Sequence, residues 1–272
     1  MIHHSNKRDY LILTTLYLMS NFLLLLVYGV FWDDWTIFHN PIGIEQEFFH
    51  GNGGVVVGYI HLFLQQTFDN PVLVYRSLIL LMGWGDVLLL YHFLPLIGLS
   101  YTETRWISLL YAASPLGYAH MTMICLPYQI GLFCFLLAAV LFMKASSNKN
   151  ILLYFISMVF VFLSSMFLPS TIVLWFGFLC FISAKSSWSQ ASFSKTYFLV
   201  WSKKMIRNCL FFIPCIIFWI IRNTMWMPQG AYAIEGYNSF SISSIIMAPF
   251  NLLLSLLRTI EFTFSQIATI SS

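Results

Sequence analysis

Apolar runs about as long as a lipid bilayer is thick recur along the chain, and this feature limits the possible folds more than any other. A helix needs about 20 apolar residues to cross the hydrocarbon core. Of the 272 residues, 59% are hydrophobic and 8% are charged. About eight runs are candidate spans: residues 11–31, 72–94, 103–120, 126–143, 151–168, 170–184, 205–225 and 245–264. The sequence therefore predicts an all-α polytopic membrane helix bundle, and it excludes a soluble enzyme and a nucleic-acid binder.

The basic residues predict the orientation of this bundle. If the amino terminus lies in the cytoplasm, only Arg76 and Arg222 of the 13 Lys and Arg residues fall at outer ends of spans. An excess of Lys and Arg marks the cytoplasmic side. The outer loops then hold most of the acidic residues, which are Asp33, Asp34, Glu45, Glu47, Asp69 and Glu235. We expect an integral, multi-pass protein of the bacterial plasma membrane with a cytoplasmic amino terminus.

Residues 55–68 are apolar enough to suggest a ninth span, but counting them as one would move the later basic loops to the outside. Their polar positions, His61, Gln65 and Asp69, recur every four residues and would form one solvent-facing stripe on a helix. This pattern predicts an amphipathic helix lying in the outer interface rather than a span.

The loop after the first span, residues 32–71, is long, and long loops are usually functional or disordered. It begins with an acidic pair, Asp33 and Asp34. The negative end of the preceding helix dipole and partial burial by neighbouring tryptophans make a carboxylate there a better proton acceptor. Neighbouring residues point in different directions, so one aspartate is the expected base and the other a supporting acceptor. A solvated pair that only sets topology is an equally weighted alternative.

The sequence FWDDWTIFHNP over residues 31–41 resembles the first outer loop of the GT-C superfamily of integral membrane glycosyltransferases. In that superfamily a paired-acid motif follows the first span, and amphipathic helices then lie along the membrane surface. The PVLVYR sequence of residues 71–76 is similar to the start of the next span in such enzymes. The resemblance is to members that use dolichyl- or polyprenyl-phosphate sugars, including mannosyltransferase-like ones. It covers residues 1–145 by motif and the rest by topology alone.

This resemblance implies inverting transfer of a sugar from a polyprenyl-phosphate carrier to a glycan, lipid or protein acceptor on the outer face of the membrane. It makes Asp33 the general base with Asp34 beside it. Arg76 and Arg222, the two outer cations, are then the candidates for the donor phosphate. Supporting or acceptor-binding candidates are Glu45, Glu47, His61 and Glu235. No cofactor and no metal ligand set are assigned, and a divalent metal requirement is left open.

Members of the superfamily usually have more spans and often a soluble carboxyl-terminal domain. The chain is therefore interpreted as one membrane domain over residues 1–272, in which residues 32–71 form the catalytic loop. It would be a minimal version of such an enzyme or one truncated at the carboxyl terminus.

Two other classes of function stay open. One is a transporter or flippase of a lipid-linked saccharide with Asp86 and His120 along its path, although the sequence lacks the internal repeats typical of transporters. The other is a non-catalytic membrane assembly partner. Asp86 lies near mid-membrane, where an acid is expensive and usually functional. A structural hydrogen bond to a neighbouring span is as compatible with the sequence as a transport role.

Overall fold

The computed structural model describes residues 7–26, 29–30, 34–38, 42–114, 122–188 and 195–230, with isolated positions at 233, 247, 250, 253–254 and 257–258. The side chains of residues 42–45, 186–188 and 195–196 are outside that description. In this part of the chain every element is helical. The α-helices are α1 (Lys7–Asn21), α2 (Trp35–Phe38), α3 (Ile42–Gly51), α4 (Val55–Thr67), α5 (Pro71–Leu96), α6 (Tyr101–Ala113), α7 (Leu126–Asn148), α8 (Ile151–Phe167), α9 (Thr171–Trp188), α10 (Lys195–Asn208) and α11 (Ile213–Thr224).

The helix lengths confirm an all-α polytopic bundle. Four helical segments are long and apolar enough to cross a membrane, namely Lys7–Leu26, Pro71–Leu96, Met123–Asn148 and Tyr197–Thr224. Two shorter apolar helices, Ile151–Phe167 and Thr171–Lys185, match two further predicted spans. Helix α6, which has 13 residues, covers the first part of the predicted span over residues 103–120. Its length is about 20 Å at 1.5 Å per residue. Residues 115–121 and most of the run over 245–264 lie outside the described residues.

Local sequence explains where α5, the longest described helix, begins and ends. The Asn70 side chain accepts a hydrogen bond from the Leu73 amide at 3.2 Å, and Pro71 occupies the first helical position. Both are preferred there because early helical amides have no partner within the helix. At the other end Gly98 has a φ of 103°, a conformation that glycine adopts readily. The Lys185 ammonium donates to the Ile97 carbonyl at 2.5 Å and so ties α9 to the end of α5.

Helices α7 and α8 form a hairpin that is held by small and hydroxyl-bearing side chains. The turn passes through Lys149 in the left-handed region, and Asn150 then caps α8. Ser164 donates to the Gly131 carbonyl at 2.9 Å and Ser157 to the Ala138 carbonyl at 2.8 Å. Small residues let two helix backbones approach closely without water between them, as is typical of membrane bundles.

One end of the bundle gathers basic residues from several helices. Arg105 forms an ion pair with Asp9 of α1 at 3.5 Å, and Lys144 acts electrostatically on His92 near the end of α5. We call this the basic end and define it by Lys7, Arg8, Arg105, Lys144 and Lys185. The predicted shared location of these basic residues is confirmed for Arg105, Lys144 and Lys185. That this end faces the cytoplasm stays a prediction.

The chain divides into two compact units, Met1–Met227 and Pro228–Ser272. All eleven α-helices defined above lie in the first unit. The described positions of the second unit beyond residue 230 are helical. That both units belong to one membrane domain stays a prediction.

Candidate functional site

Asp34, the second member of the acidic pair, is fully buried where the chain returns to the bundle after the first helix. The carboxylate accepts a hydrogen bond from the Ile124 amide at 2.9 Å, and no part of the residue is exposed. Ile124 belongs to a short 3-10 helix, Met123–Cys125, that leads directly into α7. Amides at the start of a helix lack intrahelical acceptors and carry the positive end of the helix dipole. The start of α7 therefore favours a negative charge at Asp34.

Arg76 supplies the positive charge beside this carboxylate. It lies in the second turn of α5, and only 3% of it is exposed. Its Nη2 donates to the Gly29 carbonyl at 2.8 Å, and the Asp34 carboxylate acts on the guanidinium electrostatically. We call the end of the bundle formed by Gly29, Asp34, Arg76 and Ile124 the loop end. It joins the first connecting segment, α5 and α7 around one buried acid and one buried cation.

A stack of aromatic rings lies beside this pair. The His61 ring lies between Phe49 and Tyr75, with centroid distances of 5.0 and 5.6 Å. His61 Nδ1 and the Tyr75 hydroxyl form a hydrogen bond of 2.7 Å. His61 is fully buried, and this burial lowers its pKa from 6.5 to about 3. The imidazole is therefore neutral at physiological pH.

The burial of His61 corrects one prediction. Helix α4, Val55–Thr67, is present where the amphipathic pattern predicts it, but the expected solvent exposure of His61 is wrong. The polar residue faces the protein, whereas Tyr59 is 54% exposed and Phe63 is 60% exposed. Of the other two residues in the predicted stripe, Asp69 is exposed and Gln65 is half-buried, so the prediction fails only at His61. Pairing with the Tyr75 hydroxyl makes burial of the imidazole possible, and the apolar face is left outward.

An apolar cluster underlies the site and connects four helices. Its buried members come from α2, α4, α5 and the start of α7, and they are Ile37, Leu64, Tyr75, Ile79, Met123 and Leu126. Close packing of this kind holds the residues next to it in one arrangement. A small recess beside Arg76 is lined by Tyr17, Leu24, Ile79 and Leu80. The recess places an apolar wall beside the Arg76 guanidinium.

The structure brings two of the sequence-predicted site residues together, Asp34 and Arg76. Asp33 and Glu235 lie outside the described residues, as does the side chain of Glu45. Glu47 is exposed on α3. Arg222 lies half-buried in the last turn of α11. The roles assigned to these five residues stay predictions.

In two other clusters of polar groups the sequence did not identify the partners, although it allowed a hydrogen bond from Asp86 to a neighbouring span. At the basic end, Asp9 accepts hydrogen bonds from the Tyr91 hydroxyl at 2.9 Å and from the Tyr101 hydroxyl, in addition to its ion pair with Arg105. Within the bundle, Asp86 accepts from the Gln129 amide. An acid inside an apolar helix signals that a polar partner exists, but sequence spacing does not identify a partner on another helix.

The chemistry available at the loop end is that of a carboxylate and a guanidinium held in apolar surroundings. A guanidinium binds phosphate oxygens in pairs, and a carboxylate accepts a proton or orients a hydroxyl. Among the described residues, no group of three or more His, Cys, Asp or Glu side chains is placed to hold a metal ion. Compared with family models, curated proteins and solved structures, the chain has no significant match.

Proposed function

We propose that this protein is an inverting glycosyltransferase that moves a sugar from a polyprenyl-phosphate carrier to an acceptor hydroxyl at the loop end of the bundle. The observation that carries the proposal is the burial of Asp34 and Arg76 beside each other, directly after the first membrane helix. Burying two charges is expensive and rarely increases stability over an apolar pair. Perturbed charges in a recess are therefore more typical of functional sites than of structural ones.

The position of the pair also agrees with the GT-C resemblance. The acidic pair follows the first helix, and α4 lies between that pair and the next long helix, α5. Arg76 is in the second turn of α5. In the proposed reaction, the acceptor oxygen attacks the anomeric carbon as the bond from that carbon to the phosphate oxygen breaks. The acceptor proton passes to a carboxylate, and the departing phosphate keeps the bonding electron pair.

We assign the proton-accepting role to Asp33 and a positioning role to Asp34. Asp34 already accepts the Ile124 amide and acts electrostatically on Arg76, so it is held within the protein and suits a positioning role. Arg76, together with Arg222, is assigned to the phosphate. A guanidinium has five N–H donors, and in Arg76 one of them is directed to Gly29. The apolar wall beside Arg76 suits an isoprenoid chain, which would enter from the bilayer.

The remaining assignments follow from this proposal. Glu45, Glu47, His61 and Glu235 would support the site or bind the acceptor. The protein would lie in the bacterial plasma membrane with its basic end in the cytoplasm, and its product would be a cell-surface glycan or glycoconjugate.

The direct test is transfer of radiolabelled sugar from a polyprenyl-phosphate donor by the purified protein in detergent or lipid. Removal of a positioned base usually lowers the rate by about 10²–10⁴, equivalent to roughly 3–5 kcal/mol of activation free energy. We expect this loss for Asp33→Asn. Arg76→Lys should weaken donor use because an ammonium does not reproduce the bidentate geometry.

Asp69→Asn is the matched control, because Asp69 is exposed just before α5 and undergoes the same chemical change. It should retain wild-type activity. Full activity in both Asp33→Asn and Asp34→Asn would refute the assigned site. If the wild type transfers no sugar from any polyprenyl-phosphate donor and instead moves lipid-linked sugar across vesicle membranes, the protein is a transporter.

A further inference from the structure

The carboxyl group of Asp86 lies in the interior of the bundle, in a setting very different from that of the other buried acids. It belongs to the middle of α5, and none of its surface is exposed. One oxygen accepts a hydrogen bond from the Gln129 amide of α7. The other oxygen, Oδ1, has no hydrogen-bond partner within the described part of the chain. The group thus has one neutral donor where a carboxylate accepts several.

The titratable groups that face Asp86 come from three helices packed against α5. They are Tyr17 of α1, Tyr111 of α6 and Cys134 of α7. All three are neutral when protonated, so none supplies a positive charge. Asp9 provides the contrast within the same protein, because it receives two tyrosine hydroxyls and the Arg105 guanidinium. Asp9 thus has a counter-charge, whereas the groups facing Asp86 in the described part of the chain supply none.

We propose that Asp86 is a proton-binding site in the interior of the bundle and that it carries a proton on Oδ1 at neutral pH. An ionised carboxylate in this environment would lack a counter-charge, and the cost of burying such a charge exceeds what one amide hydrogen bond returns. Binding one proton from the solvent converts the carboxylate to a neutral acid. This acid keeps the Gln129 contact at its other oxygen, and no further reactant is needed.

Tyr17 lies near both the loop end and Asp86. Tyr17 lines the recess beside Arg76. Its hydroxyl packs against Gly83, where a methyl group would overlap it, and Gly83 is one turn before Asp86 on the same face of α5. A hydroxyl both donates and accepts a hydrogen bond. As part of this proposal, Tyr17 is assigned as the group that passes the proton between the recess and Asp86. The proton site is independent of the proposed sugar transfer.

Infrared spectroscopy of the full-length protein in lipid tests the proposal, because a protonated carboxyl has a carbonyl stretching band that is separate from the carboxylate bands. The protein would carry ¹³C in its aspartate carboxyl groups, so that the band of a protonated aspartate is identified by its isotope shift. We expect this band in the wild type near neutral pH, its loss in Asp86→Asn and its retention in Asp9→Asn. The Tyr17→Phe variant should exchange the proton for deuterium several-fold more slowly.

Asp86→Glu keeps the test decisive if Asp86→Asn does not fold. In this variant the protonated band should lose its isotope shift, because the glutamate carboxyl is unlabelled. Absence of a protonated-aspartate band in the labelled wild type near neutral pH overturns the proposal. An unchanged band in Asp86→Asn, or an unchanged isotope shift in Asp86→Glu, also overturns it, because the proton then belongs to another aspartate.

Discussion

The two ends of the bundle each bury an aspartate beside an arginine, but they build these pairs differently. At the basic end, Asp9 has three donors from α5 and α6, and the Arg105 side chain is 42% exposed. At the loop end, Asp34 accepts the Ile124 backbone amide, and Arg76 is 3% exposed. The first arrangement leaves the cation in contact with water and connects three helices. The second withdraws both charges from water.

This difference indicates what each pair contributes. An exposed arginine beside a well-satisfied acid adds little free energy, because solvent screens the pair. A buried pair depends on both partners, because loss of one leaves an uncompensated charge in apolar surroundings. The basic end therefore has the features of a structural connection, whereas the burial of the charges at the loop end is the feature on which the proposed function rests.

Replacement of the two arginines should produce the largest difference between the ends. Arg76→Met should lower the free energy of unfolding by about 3–5 kcal/mol, because it leaves Asp34 buried without its cation. Arg105→Met should cost about 1 kcal/mol or less, because Asp9 keeps two tyrosine donors. Denaturant unfolding in mixed micelles measures both values.

A double variant sharpens this comparison. Combining Arg76→Met with Asp34→Asn removes both charges, so the combined loss should be smaller than the sum of the two single losses. Equal losses in Arg76→Met and Arg105→Met would show that burial does not distinguish the two pairs.

The loop end should also respond to acid through His61. Burial lowers the pKa of His61 from 6.5 to about 3, so below pH 6.5 the unfolded chain binds a proton that the folded chain does not. The free energy of unfolding should therefore be highest above about pH 6.5. It should decline as the pH falls toward 3, by at most about 1.4 kcal/mol per pH unit. In His61→Phe this dependence should be lost. The control variant His50→Phe changes an exposed histidine and should keep the pH dependence of stability. Thermal unfolding over the same pH range measures the stability of each variant.

Removing one donor from Asp9 tests whether the basic end is a structural connection. Tyr91→Phe deletes a 2.9 Å hydrogen bond to a carboxylate, and hydrogen bonds to charged groups contribute about 1.5–3 kcal/mol. We expect a loss in that range, with sugar transfer otherwise retained at temperatures where the variant is folded. A large decrease in transfer without a decrease in stability would instead give the basic end a functional role.

The smallest expected effects come from the helix caps at the two ends. Ser100 and Glu103 form a reciprocal capping box at the start of α6, in which the Ser100 amide donates to the Glu103 carboxylate at 2.7 Å. Ser100→Ala should cost about 1 kcal/mol. Ser100→Ala removes two hydrogen bonds of the Ser100 hydroxyl, at 3.3 and 2.6 Å. Asn70→Ala removes one at the start of α5, at 3.2 Å, and should cost about half as much. Thermal unfolding in a single detergent compares the two, and the opposite order would contradict this ranking.

The helical class, the approximate spans and helix α4 could all be predicted because they depend on local composition and periodicity. Apolar runs of sufficient length have few alternatives in a bilayer, and a Pro or Asn at a helix start acts within one turn. Helix α10, which begins at Lys195, was also predictable. Phe193, Tyr197 and Trp201 recur every four residues and predict an interfacial helix before the apolar run over residues 205–225.

The candidate site could be predicted in part. The acidic pair and Arg76 were identified from their charge and their place in the chain, and the structure joins Asp34 to Arg76. The Ile124 amide and the Gly29 carbonyl were missed, because backbone groups have no sequence signature. The direction in which His61 points was predicted incorrectly, because a periodic pattern separates two faces but does not say which one meets a partner.

The sequence by itself determined which segments are helical, which residues carry charge and that Arg105, Lys144 and Lys185 lie at one end of the bundle. These properties follow from hydrophobicity and charge, which act on each segment before it meets the others. Only the tertiary structure decided which acid receives which donor. Asp9 receives two tyrosine hydroxyls and an arginine, Asp34 receives a backbone amide near Arg76, and Asp86 receives the side-chain amide of Gln129. Hydrogen bonds and ion pairs depend on distances of about 3 Å between groups on different helices, and packing alone sets those distances.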